Sequence, residues 1–201
     1  MQERAARTRR TLVSAAACEF DRNGYAGSSL TRIARSAGIS TGALTFHFVS
    51  KEELAEAVRA QGYAETLAVV GRVTDRQEPS VRSVVGLTVA LAGLLEDEVC
   101  VRAAARLTRD QPECVPEWTS AWVPAIHEHL RQSVREPAAG PLDDRTTLAE
   151  LAEHLVAGAE ADVRRRSDRG EDLDGRSAER IARIWDLVLR GRVTGRERGA
   201  R

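Results

Sequence analysis

The chain has 201 residues, with 30 basic and 30 acidic side chains, a formal net charge of zero, 4% aromatic residues and three cysteines. That length holds one ordinary domain or a small head on a larger body, and no uncharged apolar run of about 18 residues is present, which excludes a membrane-spanning helix. Cys18, Cys100 and Cys114 are odd in number and lack CxxC spacing, so neither a disulfide framework nor a metal site nor a cofactor is expected.

In chain order, the first helix reads over about residues 7–22, with Leu12, Ala15, Ala16 and Phe20 on one face and Gly24 ending it. No apolar signal-peptide core follows the first ten residues, because residues 12–20 are broken by Ser14 and Glu19; a cytoplasmic protein is expected. Leu30, Ile33, Ala34 and Ala37 recur at helical spacing behind Ser29, a good N-cap, and Gly38 stands where a helix end adopts a left-handed conformation. Ser40 caps a second short helix from Thr41 to about Phe46, for which Ala43, Leu44, Phe46 and Phe48 are read as packing residues. Ser50 and Glu53 form a capping box, so a longer helix starts near Glu52 and runs to about Thr74.

Pro79 breaks the chain before a strongly apolar buried helix over residues 81–95. Another helix covers residues 99–109, and Pro112 and Pro116 precede a helix over 118–134. Residues 135–141 read as a loop, 146–166 and 177–189 as the last two long helices, and the charged stretch 164–176 at their junction as a mobile loop. No segment alternates with period 2, so the fold class is all-α: a three-helix head over residues 1–51 and a larger helical body over 52–201 ending in a mobile basic tail from 190.

Two short helices on a glycine-containing turn also occur as plain packing in all-α proteins. Charge tips the balance toward nucleic acid. Within residues 1–50, Arg4, Arg7, Arg9, Arg10, Arg22, Arg32 and Arg35 stand against Glu3, Glu19 and Asp21; residues 190–201 are likewise basic, and the excess negative charge lies between them.

The run Gly42-Ala43-Leu44-Thr45-Phe46-His47-Phe48-Val49-Ser50-Lys51-Glu52-Glu53-Leu54-Ala55 resembles the N-terminal domain of the TetR family of repressors, and within it the γ-butyrolactone receptor group, whose pattern here reads approximately GALYFHF-x-SKE-x-LA. Looser similarity extends through Val101–Thr108, the Trp122 region and residues 172–189. The resemblance implies a helix-turn-helix that reads a pseudo-palindromic operator as a homodimer, with Ser40, Thr41, Gly42 and Thr45 toward bases, His47 and Lys51 toward phosphate, Thr31 and Arg32 on the preceding helix, and Arg7, Arg9 and Arg10 on an N-terminal arm. Thr41 and Thr45 stand where the group usually carries a lysine and a tyrosine, so a different operator preference is expected.

The resemblance also implies that the last two helices form a four-helix dimer interface and that the body holds a small effector such as a γ-butyrolactone. Trp122 and Gln61 match pocket positions of the group, and Ala157 stands where some members carry a threonine. Trp118, Leu87, Val101, Ala105, Thr108, Val123 and Ile126 are further lining candidates, each of which could equally be ordinary core. A carboxylate-bridged metal enzyme is excluded, because Glu150 and His154 are four residues apart rather than three. A same-fold regulator answering to an antibiotic or its precursor, a constitutive repressor and a helical interaction module stay open.

Overall fold

A computed structural model describes residues 2–76, 78–133 and 145–194, and every regular element among them is helical. The elements are α1 (Gln2–Gly27), α2 (Leu30–Ser36), α3 (Thr41–His47), α4 (Lys51–Thr74), α5 (Val81–Asp97), α6 (Val99–Asp110), a 3-10 turn (Trp118–Ala121), α7 (Val123–Gln132), α8 (Arg145–Asp168) and α9 (Arg176–Thr194). The expected loop at 135–141 and most of the basic tail lie outside the described residues.

The helix boundaries follow local signals. The Ser29 hydroxyl accepts from the Arg32 N–H and the Ser40 hydroxyl from the Ala43 N–H, which caps α2 and α3. Gly38 takes φ 69° after α2, as its position requires. Ser50 accepts from the Glu53 N–H at 3.1 Å, while the Glu53 carboxylate reaches back to the Val49 N–H at 2.7 Å, one residue earlier than a standard capping box. α1 runs beyond the expected residue 22. Gly24 (φ 66°, ψ −178°) breaks its regularity, and one further turn follows.

The chain divides into two compact units. One comprises residues 1–66 with 98–120, the other 67–97 with 121–201. The packing line therefore does not fall at residue 51: α6 and the first two thirds of α4 belong with the head. In this first unit α1 lies along α6, and Leu12, Ala16, Phe20, Ile33, Leu44, Phe48, Leu54, Val58, Ala103 and Leu107 share one core. Polar contacts reinforce it. The Asp110 carboxylate accepts the Tyr25 N–H at 2.8 Å, and Arg102 Nε donates to Asp21 at 2.9 Å.

In the second unit α5 packs against α7, α8 and α9, burying Leu87, Leu91 and Leu95 with Ile126, Val156, Ile181 and Trp185. The Trp185 indole donates to the Thr88 hydroxyl at 2.9 Å. The stretch read as a mobile charged loop is a correction. Residues 164–168 complete α8, and the buried Arg166 guanidinium is held by Glu96 at 3.1 Å and Asp174 at 2.7 Å. Glu96 Oε1 also accepts the Ser177 N–H, so one buried carboxylate joins the ends of α5, α8 and α9.

Candidate DNA-reading head and effector-binding residues

α2, the turn at Gly38 and α3 form two short helices pinned from behind by Ile33, Leu44 and Phe48, all fully buried. Helical geometry sends the intervening residues outward. Leu44 and Phe48 are four apart and share a face, so Phe46, two from each, points the opposite way and is 85% exposed. The expectation that Ala43 and Phe46 pack inside is thereby corrected. Thr41, Gly42, Ala43, Thr45 and Phe46 make up the exposed face of α3. The Thr45 hydroxyl donates to Gly42 O at 3.0 Å, and His47 lies edge-on to the Phe46 ring at 5.5 Å.

The basic candidates separate by what they touch. Arg7, Arg10 and Thr31 are exposed, and Arg9 is exposed with its guanidinium 4.6 Å from the Phe48 ring centroid, covering the back of α3's anchor. Arg32, half exposed, and Lys51, partly buried, instead spend donors on groups of the head itself. Arg32 Nε lies 2.5 Å from the Glu19 carboxylate and its Nη2 donates to Gly27 O, while Lys51 Nζ donates to Tyr25 O at 2.9 Å and Ser28 O at 3.3 Å. Behind them, Arg59, 1% exposed, donates to Glu52 at 2.5 Å and Gln111 at 3.0 Å. Burial acts against the Glu52 charge, but hydrogen bonds from Tyr25, Arg59 and Gln111 outweigh it and hold this carboxyl below its ordinary range. Burial, then the bond to Glu52, pushes the Tyr25 hydroxyl up.

The effector candidates fall five and five. Gln61, Val101, Ala105, Thr108 and Trp118 belong to the first unit; Leu87, Trp122, Val123, Ile126 and Ala157 belong to the second. Val101 and Ala105 are buried on α6, Thr108 accepts the Trp118 N–H at 3.0 Å, and Leu87, Trp122 and Ile126 are buried with Val123 half-buried beside them. Two candidates stand elsewhere: Gln61 is exposed and donates to Glu65 at 2.7 Å, and Ala157 is exposed on α8. A surface groove of about 340 Å³ between α8 and α9, lined by Leu155, Ile181 and Ile184 with Arg165 and Arg180, contains none of the ten. The two-residue offset of Phe46 from Leu44 is the signal in the sequence that places its ring on the outer face.

The family described as "Bacterial regulatory proteins, tetR family" matches residues 12–58. The A-factor receptor protein of Streptomyces griseus is 47% identical over 57 residues, 28% of this chain; the chain spans only about a fifth of that protein, 21% of its length. A solved γ-butyrolactone receptor, an ArpA-like protein, superposes with a TM-score of 0.74 at 28% identity, covering 94% of this chain and 89% of that one. CprB, a TetR family protein of S. coelicolor A3(2), superposes with a TM-score of 0.68 at 30% identity over 96% of this chain and 93% of that one, and has also been solved in complex with its biological operator sequence. The chain belongs to the TetR family, with γ-butyrolactone receptors among its relatives.

Proposed function

We propose that this chain is a ligand-responsive transcriptional repressor that binds a pseudo-palindromic operator as a homodimer in the cytoplasm. It is released by a γ-butyrolactone-type or related small signalling molecule and controls secondary-metabolite genes. The observation that carries the reading is the capped α2–turn–α3 pair, whose outer face of Thr41, Thr45 and Phe46 is exposed while Leu44 and Phe48 lock it from behind. A helix so held fits the major groove, about 12 Å wide. Its family is one of regulatory proteins, not enzymes.

The apolar residues left on α8 and α9 support dimerisation. Leu187 is 71% exposed, and the groove between the helices is apolar at Leu155 and Ile184. A two-fold dimer of such helices sets two recognition helices about 34 Å apart. Effector binding then acts through α4, which begins at the head, and the two affinities are reciprocal: an effector that weakens operator binding binds the DNA-bound form more weakly by the same factor.

A second reading is favoured by four residues. Thr41 and Thr45 change the DNA face, while Gln61 is spent on Glu65 and Ala157 is exposed. These support an effector other than a simple γ-butyrolactone, such as an antibiotic or its precursor, or no ligand response at all. A gel shift with the chain's own upstream region tests both. A salt-sensitive shift released by culture extract is expected for a sensor and a shift that nothing releases for a constitutive repressor, whereas no shift at any moderate salt overturns the DNA-binding reading.

A further inference from the structure

A helix C-terminus leaves carbonyls without intrahelical partners. At the end of α1, around and past the break at Gly24, side chains converge on the carbonyls, of which Tyr25 O also accepts the Ser28 N–H at 3.2 Å. The Ser28 hydroxyl donates to Gly24 O at 2.5 Å; Lys51 Nζ donates to Tyr25 O at 2.9 Å and Ser28 O at 3.3 Å; Arg32 Nη2 donates to Gly27 O. Lys51 also stands 4.2 Å from the Tyr25 ring centroid, and Arg32 Nε is paired with Glu19 at 2.5 Å.

An ammonium has three donors. Two of Lys51's lie on carbonyls and a ring covers another side, which leaves at most one N–H for anything outside the head. Arg32 comes from α2 and Lys51 from the first residue of α4, so the two cations fasten the elements that flank α3 to one point on α1.

We propose that Lys51 and Arg32 are positioning residues: they tie α4 and α2 to the carbonyls at the end of α1 and thereby set the angle of the α3 face, Lys51 doing so in place of a phosphate contact. The proposal rests on the DNA-binding reading above. It departs from the phosphate role that the sequence resemblance implies for Lys51.

The test uses the full chain and a duplex from its own upstream region, at a temperature where circular dichroism shows each variant folded. Lys51→Met and Arg32→Met are expected to bind about tenfold more weakly with an unchanged slope of log affinity against log salt, and Lys51→Arg to recover most of the loss. Arg7→Ala serves as the contact control, its slope falling by about 0.9 for one lost phosphate contact. Lys51 is the only lysine of the chain, so lysine-selective ¹⁵N labelling gives one side-chain ammonium signal, expected to stay in place when DNA is added. A slope lowered by about 0.9 in Lys51→Met, or wild-type affinity in that variant, overturns the proposal. Should the wild-type chain fail to bind the duplex, the DNA-binding reading falls, and melting decides the ties to α1 separately: unchanged melting temperatures in Lys51→Met and Arg32→Met overturn them.

Discussion

The indole N–H of Trp118 donates to the Thr66 hydroxyl at 2.9 Å, and that hydroxyl donates in turn to Gly62 O at 2.7 Å, both bonds buried within the first unit. The donor of Trp118 is therefore consumed inside the protein, and under the proposed function this tryptophan would offer an effector only an apolar wall. Thr66→Val leaves the indole N–H buried without its acceptor and is expected to destabilise by about 1–3 kcal/mol. Trp118→Phe loses the donor together with its need for a partner, so it should retain the effector response at a smaller cost. Thermal melting and gel-shift release on both variants check this; a Trp118→Phe protein that no effector releases refutes it.

Trp122 is the proposed effector contact whose replacement tests the ligand response most directly. It is 2% exposed at the N-cap position of α7, beside Val123 and Pro124. Trp122→Ala is expected to leave operator binding intact and abolish release. Because truncating a buried tryptophan costs about 3–5 kcal/mol, Trp122→Phe is the companion, expected to fold normally and weaken release by a smaller factor. Release at wild-type effector concentration in Trp122→Ala would place the pocket elsewhere.

What was legible in the sequence was what neighbours in sequence decide. Ser29, Ser40 and Gly38 mark the ends of α2 and α3 because caps and left-handed turns depend on residues two to four apart, and Ser50 with Glu53 marks the start of α4 for the same reason. Contacts made across long separations were not legible. Lys51 reads as an exposed phosphate contact until Tyr25 O and Ser28 O, more than twenty residues upstream, are seen beneath it. Arg166 reads as loop charge until Glu96, 70 residues away, is seen to hold it. The exposure of Gln61 and Ala157 was not legible for a simpler reason: a matched position carries no information about which way its side chain faces on this backbone.

Phe46 and Phe48 are two residues apart and should respond oppositely to truncation. Phe48 is fully buried beneath Arg9, so Phe48→Ala is expected to cost about 3–5 kcal/mol and to unfold the head. Phe46 is 85% exposed and bears on no core, so Phe46→Ala should change stability by no more than about 0.5 kcal/mol while weakening operator binding, most at a thymine whose methyl group the ring would cover. Melting curves and binding to duplexes with thymine replaced by uracil separate the two effects. Equal affinity of the wild-type chain for thymine and uracil duplexes removes Phe46 from base reading.

The first unit should lose stability at both ends of the pH scale, for different residues. Glu52 sits below its ordinary value of 4.5, so its contribution is present above that pH and disappears as the pH falls through the depressed value. Glu52→Gln should flatten this acid limb and lower stability near neutrality, where Arg59 loses its charged partner. Glu65 has the opposite sign, since burial raises its carboxyl and its contribution fades as the pH climbs past 4.5. At the alkaline end, burial pushes the Cys100 thiol from 9.0 up to about 12. A raised value means that its contribution is whole below pH 9.0 and is lost between there and about 12. At pH 8 its thiolate population is roughly a thousandfold below that of an ordinary cysteine, so a disulfide reagent should label Cys18 and Cys114 in the native protein while Cys100 waits for unfolding. Peptide mapping after brief labelling decides the matter, and Cys100 modified at the rate of the other two would show that the core around Cys100 opens readily.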